Sequence, residues 1–78
     1  MERAEALKRL AKVMNENTGI DESRISEEVK FTDLDFDSLD MLQLVVGLEE
    51  EFDATIPDEK LAKIYTVSDA LDIIQETV

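Results

Sequence analysis

The 78-residue sequence has no cysteine, no histidine and no tryptophan, and it contains one proline and two glycines. Each absence removes a class of chemistry. Without Cys or His there is no Ser-His-Asp or Cys-His nucleophile system, and no zinc or soft-metal site built from thiolate and imidazole. No disulfide can hold the fold, so a core that removes only about 60% of the unfolded chain's surface from water must suffice. Cysteine usage therefore says nothing about compartment. No apolar run approaches the roughly 20 residues of a membrane span. Met1-Glu2-Arg3-Ala4-Glu5 is charged and lacks the apolar stretch of a signal peptide. The expectation is one domain over residues 1–78, monomeric, soluble and cytoplasmic.

Positive charge is scarce too. Eight Lys+Arg stand against twenty Asp+Glu, a net charge of −12. Nucleic-acid binders need a basic face, so this balance argues against them. It equally argues against anionic membrane surfaces, and it favours basic proteins or cations as partners. The charge is unevenly spread. Arg3, Lys8, Arg9 and Lys12 are half of the bases, whereas Phe31 to Glu59 holds ten acids and no base. The apolar fraction, 44%, is near the globular norm, so a folded chain is expected despite the charge.

What is present reads as helix. Ala4, Leu7, Leu10, Ala11 and Met14 recur at helical spacing and predict a first helix from about Glu2 to Glu16. Asn15, Asn17, Thr18 and Gly19 supply stop signals. A long connection, Gly19 to Asp37, carries isolated apolar anchors at Ile20, Ile25, Val29, Phe31 and Leu34. A second helix runs from Ser38 to about Phe52, with Asp37 or Ser38 as its cap and Asp40 favoured in its first turn by the helix dipole. Pro57 opens a short third helix with Leu61 and Ile64 as its contacts. Thr66-Val67-Ser68-Asp69 resembles a capping box with Asp in place of Glu. The last helix then runs to about Gln75 and buries Val67, Ala70, Leu71 and Ile74. No segment alternates with period two. The predicted fold is all-α, a four-helix bundle of three main helices and one short one, with a long loop between helices one and two.

Helix two carries too much apolar surface for one core. At about 100° per residue, Leu44, Leu48, Met41, Phe52 and Val45 share one face. Leu42, Val46 and Leu39 form a second stripe, bordered by Glu49 and Glu50. Either this stripe packs on the long loop, on Phe31 or Phe36, or it is an apolar strip rimmed by carboxylates that receives a basic protein surface.

Asp37-Ser38-Leu39 stands where the long loop meets helix two. A serine there is most simply a cap. The same position stabilises a phosphate, because free N–H groups and the helix dipole both favour an anion. Asp33-Leu34-Asp35-Phe36-Asp37-Ser38-Leu39-Asp40 resembles the phosphopantetheine-attachment motif of the acyl carrier protein family. Leu48-Glu49-Glu50-Glu51-Phe52, Ile56-Pro57-Asp58-Glu59, Ile64-Tyr65-Thr66-Val67 and Gly19-Ile20 resemble that family in order and spacing, so the likeness covers nearly the whole chain.

The resemblance implies that Ser38 carries 4′-phosphopantetheine, flanked by Asp37 and Leu39 and added from coenzyme A by a phosphopantetheinyl transferase (holo-synthase). Acyl groups would ride on its thiol as thioesters, which suits a chain without cysteine, and would shelter between the helices. Asp37, Leu39, Asp40, Leu42, Val46, Glu49 and Glu50 would meet acyl-transfer and chain-elongating or modifying enzymes with basic docking patches. The protein itself would catalyse nothing. The implied setting is fatty-acid biosynthesis or a related acyl, lipid or polyketide pathway. The chain departs from the family pattern at Asp35, where Gly is usual, at Phe36, at Gln43, at Gly47, where Ala is common, and in a loop one residue shorter.

Other readings exist. Asp33, Asp35 and Asp37 alternate as in a calcium loop, but that motif needs Gly sixth and Glu twelfth, where Ser38 and Leu44 stand. No specific metal site is expected, only loose association of divalent cations with crowded carboxylates. Paired catalytic carboxylates would need a burying pocket and an electrophilic partner, which the sequence does not supply. An acidic interaction module without a prosthetic group shares the charge and the stripe but leaves Ser38 only a capping role. An aminoacyl or peptidyl carrier is a further alternative.

Overall fold

The computed structural model describes residues 1–77. The apolar spacing at the start of the chain produces α1, Arg3–Thr18. Its inward stripe is Ala6, Leu10, Val13 and Met14 with Ala11, the i, i+4, i+7, i+8 pattern counted from Ala6. Ala4, expected on this face, is exposed because it lies more than half a turn away from Ala6. The helix also outruns the predicted end at Glu16: Asn15 and Asn17 lie within its last turn. Gly19 terminates it, with φ of 77° and its N–H donating to the Asn15 carbonyl at 2.8 Å. That left-handed position is one glycine adopts freely.

α2 spans Ser38–Phe52 as expected and buries Leu44, Val45, Leu48 and Phe52. It runs antiparallel to α1. Arg9 binds the Glu51 carboxylate at 2.8 Å and lies over the Phe52 ring, 4.6 Å from its centroid. One turn on, Val13 and Asn17 face Gly47, and Asn17 reaches the Gln43 carbonyl. A Cβ on Gly47 would lie 2.8 Å from both Val13 Cγ1 and Asn17 Nδ2, so glycine permits the close approach of the two helices.

Pro57 caps the short α3, Asp58–Leu61, standing just outside it rather than as its first residue. α4, Val67–Thr77, is two residues longer than predicted and buries Ile73 besides the four residues expected. The predicted box forms at its start: Asp69 N–H donates to Thr66 Oγ1, and Asp69 Oδ2 accepts from the N–H groups of Tyr65 and Thr66 at 2.9 and 3.0 Å. These backbone donors hold the Asp69 carboxyl below its usual range. Leu10, Met14, Leu44, Leu48, Val67, Leu71 and Ile74 form the innermost core.

The connection from α1 to α2 is not featureless. It makes two single 3₁₀ turns, Glu22–Arg24 and Phe31–Leu34, and buries Ile25 and Phe31. Its middle is stitched to the entry of α4. Phe31 N–H donates to the Tyr65 carbonyl, Val67 N–H to Val29 and Ser68 N–H to Glu27, each at 3.0 Å. Arg3 adds a side-chain tie, reaching Glu27, Asp72 and Gln75 at 2.7–2.8 Å. Exposed ion pairs contribute about 0–1 kcal/mol each, but this one guanidinium joins α1, the loop and α4. Among the described residues no helix is long and apolar enough to cross a membrane.

Candidate functional site

The N-terminus of α2 is organised by two aspartates. Asp37 Oδ1 accepts from the Asp40 N–H at 2.9 Å, and Asp40 Oδ2 accepts from the Asp37 N–H at 3.1 Å. This reciprocal capping box makes Asp37 the N-cap. Of the two expected caps, then, Asp37 serves and Ser38 does not. Ser38 becomes the first helical residue, exposed, with no described residue hydrogen-bonded to its hydroxyl. The N–H groups of Ser38 and Leu39 likewise have no acceptor among the described residues. They are the orphan donors that every helix start leaves, and they attract an anion.

The chain reaches this point through a reversal at Asp35, whose φ of 61° closes the second 3₁₀ turn. The turn sends Phe36 inward against Phe31, ring centroids 5.6 Å apart, and leaves Asp37 and Ser38 at the surface. An open cleft of about 580 Å³ lies at the foot of Ser38, walled by Phe36, Met41, Leu42, Leu61 and Ala62. A second cleft of about 340 Å³ shares Phe36 and Met41 and continues along Phe31, Ile64 and Tyr65. Such mostly apolar concavities suit a flexible apolar chain tethered nearby. The sequence offered only indirect signals for this cleft: Met41, expected on the core face but only half-buried, and Leu61, expected as a contact of the short helix that follows Pro57.

The second stripe of α2 does not pack on the loop. Leu39, Leu42 and Val46 are 61%, 52% and 54% exposed, while Phe36 is engaged with Phe31. The carboxylates around the stripe are not equivalent. Asp37 and Asp40 each commit one oxygen to the capping box. Glu49 is half-buried, and its Oε2 accepts the Ile56 N–H at 2.8 Å, which fastens the turn after α2. Glu51 is bound by Arg9, which lowers its pKa. Glu50 is exposed and outside every ion pair of the described residues. The structure thus gathers Ser38, Leu39, Leu42, Val46 and Glu50 on the open side of α2, flanked by Asp37 and Asp40, with Glu49 in a mainly structural position. Asp33, Asp35 and Asp37 form no metal-holding cluster among the described residues.

Comparison with known proteins gives this arrangement a context. Residues 8–74 match the family model of the phosphopantetheine attachment site. The chain is 46% identical over 71 residues to the acyl carrier protein of Kocuria rhizophila, a match covering 90% of this chain and 88% of that one. It is 45% identical over 71 residues to the acyl carrier protein of Myxococcus xanthus, covering 90% of each. The crystal structure of an acyl carrier protein from Thermotoga maritima superposes with a TM-score of 0.87 at 37% identity, covering 97% of this chain and 89% of that one. The acyl carrier protein from Enterococcus faecalis superposes over 100% of both chains with a TM-score of 0.78 at 33% identity.

Proposed function

The chain belongs to the acyl carrier protein family, whose members are non-catalytic carriers bearing phosphopantetheine, and from that premise we propose that Ser38 is the attachment residue. One observation carries the assignment: Asp37 does the capping, so the Ser38 hydroxyl is free and exposed at a helix start with two unpaired N–H groups. The residues present fit a phosphodiester there. Its negative charge would meet the positive end of α2, where the N–H groups of Ser38 and Leu39 have no acceptor among the described residues. When bound, the group supplies a thiol on a flexible arm, a functional group this cysteine-free chain lacks. Phe36, Met41 and Leu61 wall the cleft that shields an apolar cargo from water.

The exposed strip of Leu39, Leu42 and Val46 receives the phosphopantetheinyl transferase and the acyl-processing enzymes in turn. Asp37, Asp40 and Glu50 supply the field that steers a basic docking patch onto it, and Glu49 contributes charge while holding the turn. The cargo is an acyl group of fatty-acid or related biosynthesis. Incubation with coenzyme A and a promiscuous phosphopantetheinyl transferase, followed by intact-mass measurement, tests the assignment. Wild type gains one phosphopantetheine and Ser38→Ala gains none. An unchanged wild-type mass, or modification of Ser38→Ala, overturns it. The mass of the acyl form isolated from native cells then identifies the cargo.

A further inference from the structure

The close approach of α1 and α2 leaves a trough on the surface beside the exposed strip. Two adjoining depressions, about 380 and 240 Å³, share Asn17, Gly47 and Glu50. Gly47, having no side chain, is the floor. Val46 and Leu42 wall one end, and Glu16 stands at the other.

The charges at this trough are placed against local preference. Glu16 lies in the last turn of α1 and Glu50 in the last turn of α2, and neither turn contains a base. A carboxylate there faces the negative end of the helix dipole and is disfavoured. Both side chains are exposed, and neither joins an ion pair of the described residues. Their neighbour Glu51 is already neutralised by Arg9. The trough therefore combines two carboxylates that lie outside every ion pair of the described residues with an apolar wall and a floor that carries no side chain of its own.

Resting on the carrier reading above, we propose that this trough seats one arginine side chain of the phosphopantetheinyl transferase, so that α1 contributes to docking through Glu16. The aliphatic stem lies along Val46 and over Gly47, as long cationic side chains do on apolar surface. The planar guanidinium reaches Glu16 and Glu50, for which its fork of donors is better suited than an ammonium.

Steady-state phosphopantetheinylation of Glu16→Lys, Glu50→Lys and the control Glu28→Lys tests this. Glu28 is exposed, lies in the long loop and has no ion-pair partner. All three change net charge equally, and Glu16→Lys puts a favourable cation at the end of α1, so folding is preserved, as circular dichroism should show. The expected result is a KM for the carrier raised about tenfold by Glu16→Lys and by Glu50→Lys, with kcat within about twofold, and a control close to wild type. Equal rises in all three variants would show only long-range charge, and a Glu16→Lys KM equal to that of the control would show an empty trough. Either result overturns the proposal while leaving attachment at Ser38 intact, since wild type still gains mass.

Discussion

Gly47→Ala sets two effects of opposite sign against each other. Alanine is favoured over glycine in a helix interior by about 0.8–1.0 kcal/mol. The added methyl, however, would lie 2.8 Å from Val13 Cγ1 and Asn17 Nδ2. Asn17 is exposed and can swing aside, losing a long 3.4 Å bond to the Gln43 carbonyl. Val13 is buried and β-branched, so its χ1 is stiff. Either it leaves its rotamer or α1 shifts, and such overpacking costs about 1–3 kcal/mol. The net expectation is a loss of about 0–2 kcal/mol, lowering Tm by about 4–8 °C per kcal/mol. The sign becomes diagnostic in a Val13→Ala background. There the obstruction is gone, and Gly47→Ala should stabilise by about 1 kcal/mol. Val13→Ala alone removes two methyls, about 2 kcal/mol, which is tolerable within the roughly 4–12 kcal/mol expected for a chain of this size. Urea denaturation of the four proteins, followed by circular dichroism, measures the coupling, expected at about 1–3 kcal/mol. A Gly47→Ala variant that is stabilised equally in both backgrounds would refute the close helix approach.

The Asp69 carboxyl has a lowered pKa in the folded state, so its contribution is complete above the ordinary value of 3.8 and is lost as pH falls through the lowered folded value. Urea midpoints measured from pH 6 downward should therefore fall less steeply for Asp69→Asn than for wild type, and parallel curves would contradict the assigned hydrogen bonds. Asp35 holds a left-handed backbone with φ of 61°, so Asp35→Gly should raise stability by about 0–1 kcal/mol, the relief of strain exceeding the added freedom of the unfolded chain. A clear loss in thermal melts would mean that the Asp35 side chain has a partner. Leu42→Glu and Val46→Glu should leave stability within about 0.5 kcal/mol, as exposed positions do, while raising the transferase KM. A fall in Tm without a kinetic effect would make the strip structural. Millimolar magnesium or calcium should raise Tm by screening the crowded carboxylates, and a differential scanning measurement showing no shift would reject that.

Much of the architecture was legible because helix periodicity and caps are local. The limits of α2 followed from Asp37 and Ser38 at its start and Phe52 at its end, and the α4 capping box could be read from Thr66 and Asp69. The misplacements have specific causes. Ala4 and Ala6 are indistinguishable by type, and which flank of α1 turns inward depends on the elements packed against it, α2 and α4. The order in the long loop rests on backbone bonds to Tyr65, Val67 and Ser68, residues far away in sequence, which no periodicity records. At the site, Ser38 and the exposed strip could be named from sequence, the latter because one helix cannot bury two faces. Which acid is free could not. Glu49, Glu50 and Glu51 are adjacent and chemically identical, and their difference lies in partners on other segments, Ile56 for the first and Arg9 for the last.

The tie made by Arg3 has a consequence for tethering. Arg3 joins α4 through Asp72 and Gln75, and the Gln75 side chain also reaches the Met1 carbonyl at 3.4 Å. The first residues and the last turn of α4 therefore share one pole. Because α1 and α2 are antiparallel, that pole lies toward the Phe52 end of α2, and Ser38 lies at the other end, about 20 Å away along a 15-residue helix. A leash fixed near Arg3 or on the last turn of α4 would therefore hold the domain by the pole opposite Ser38. Carriers strung in series by such leashes would expose every serine to solution, and their local concentration around a tethered enzyme would be set by the length and stiffness of the leash.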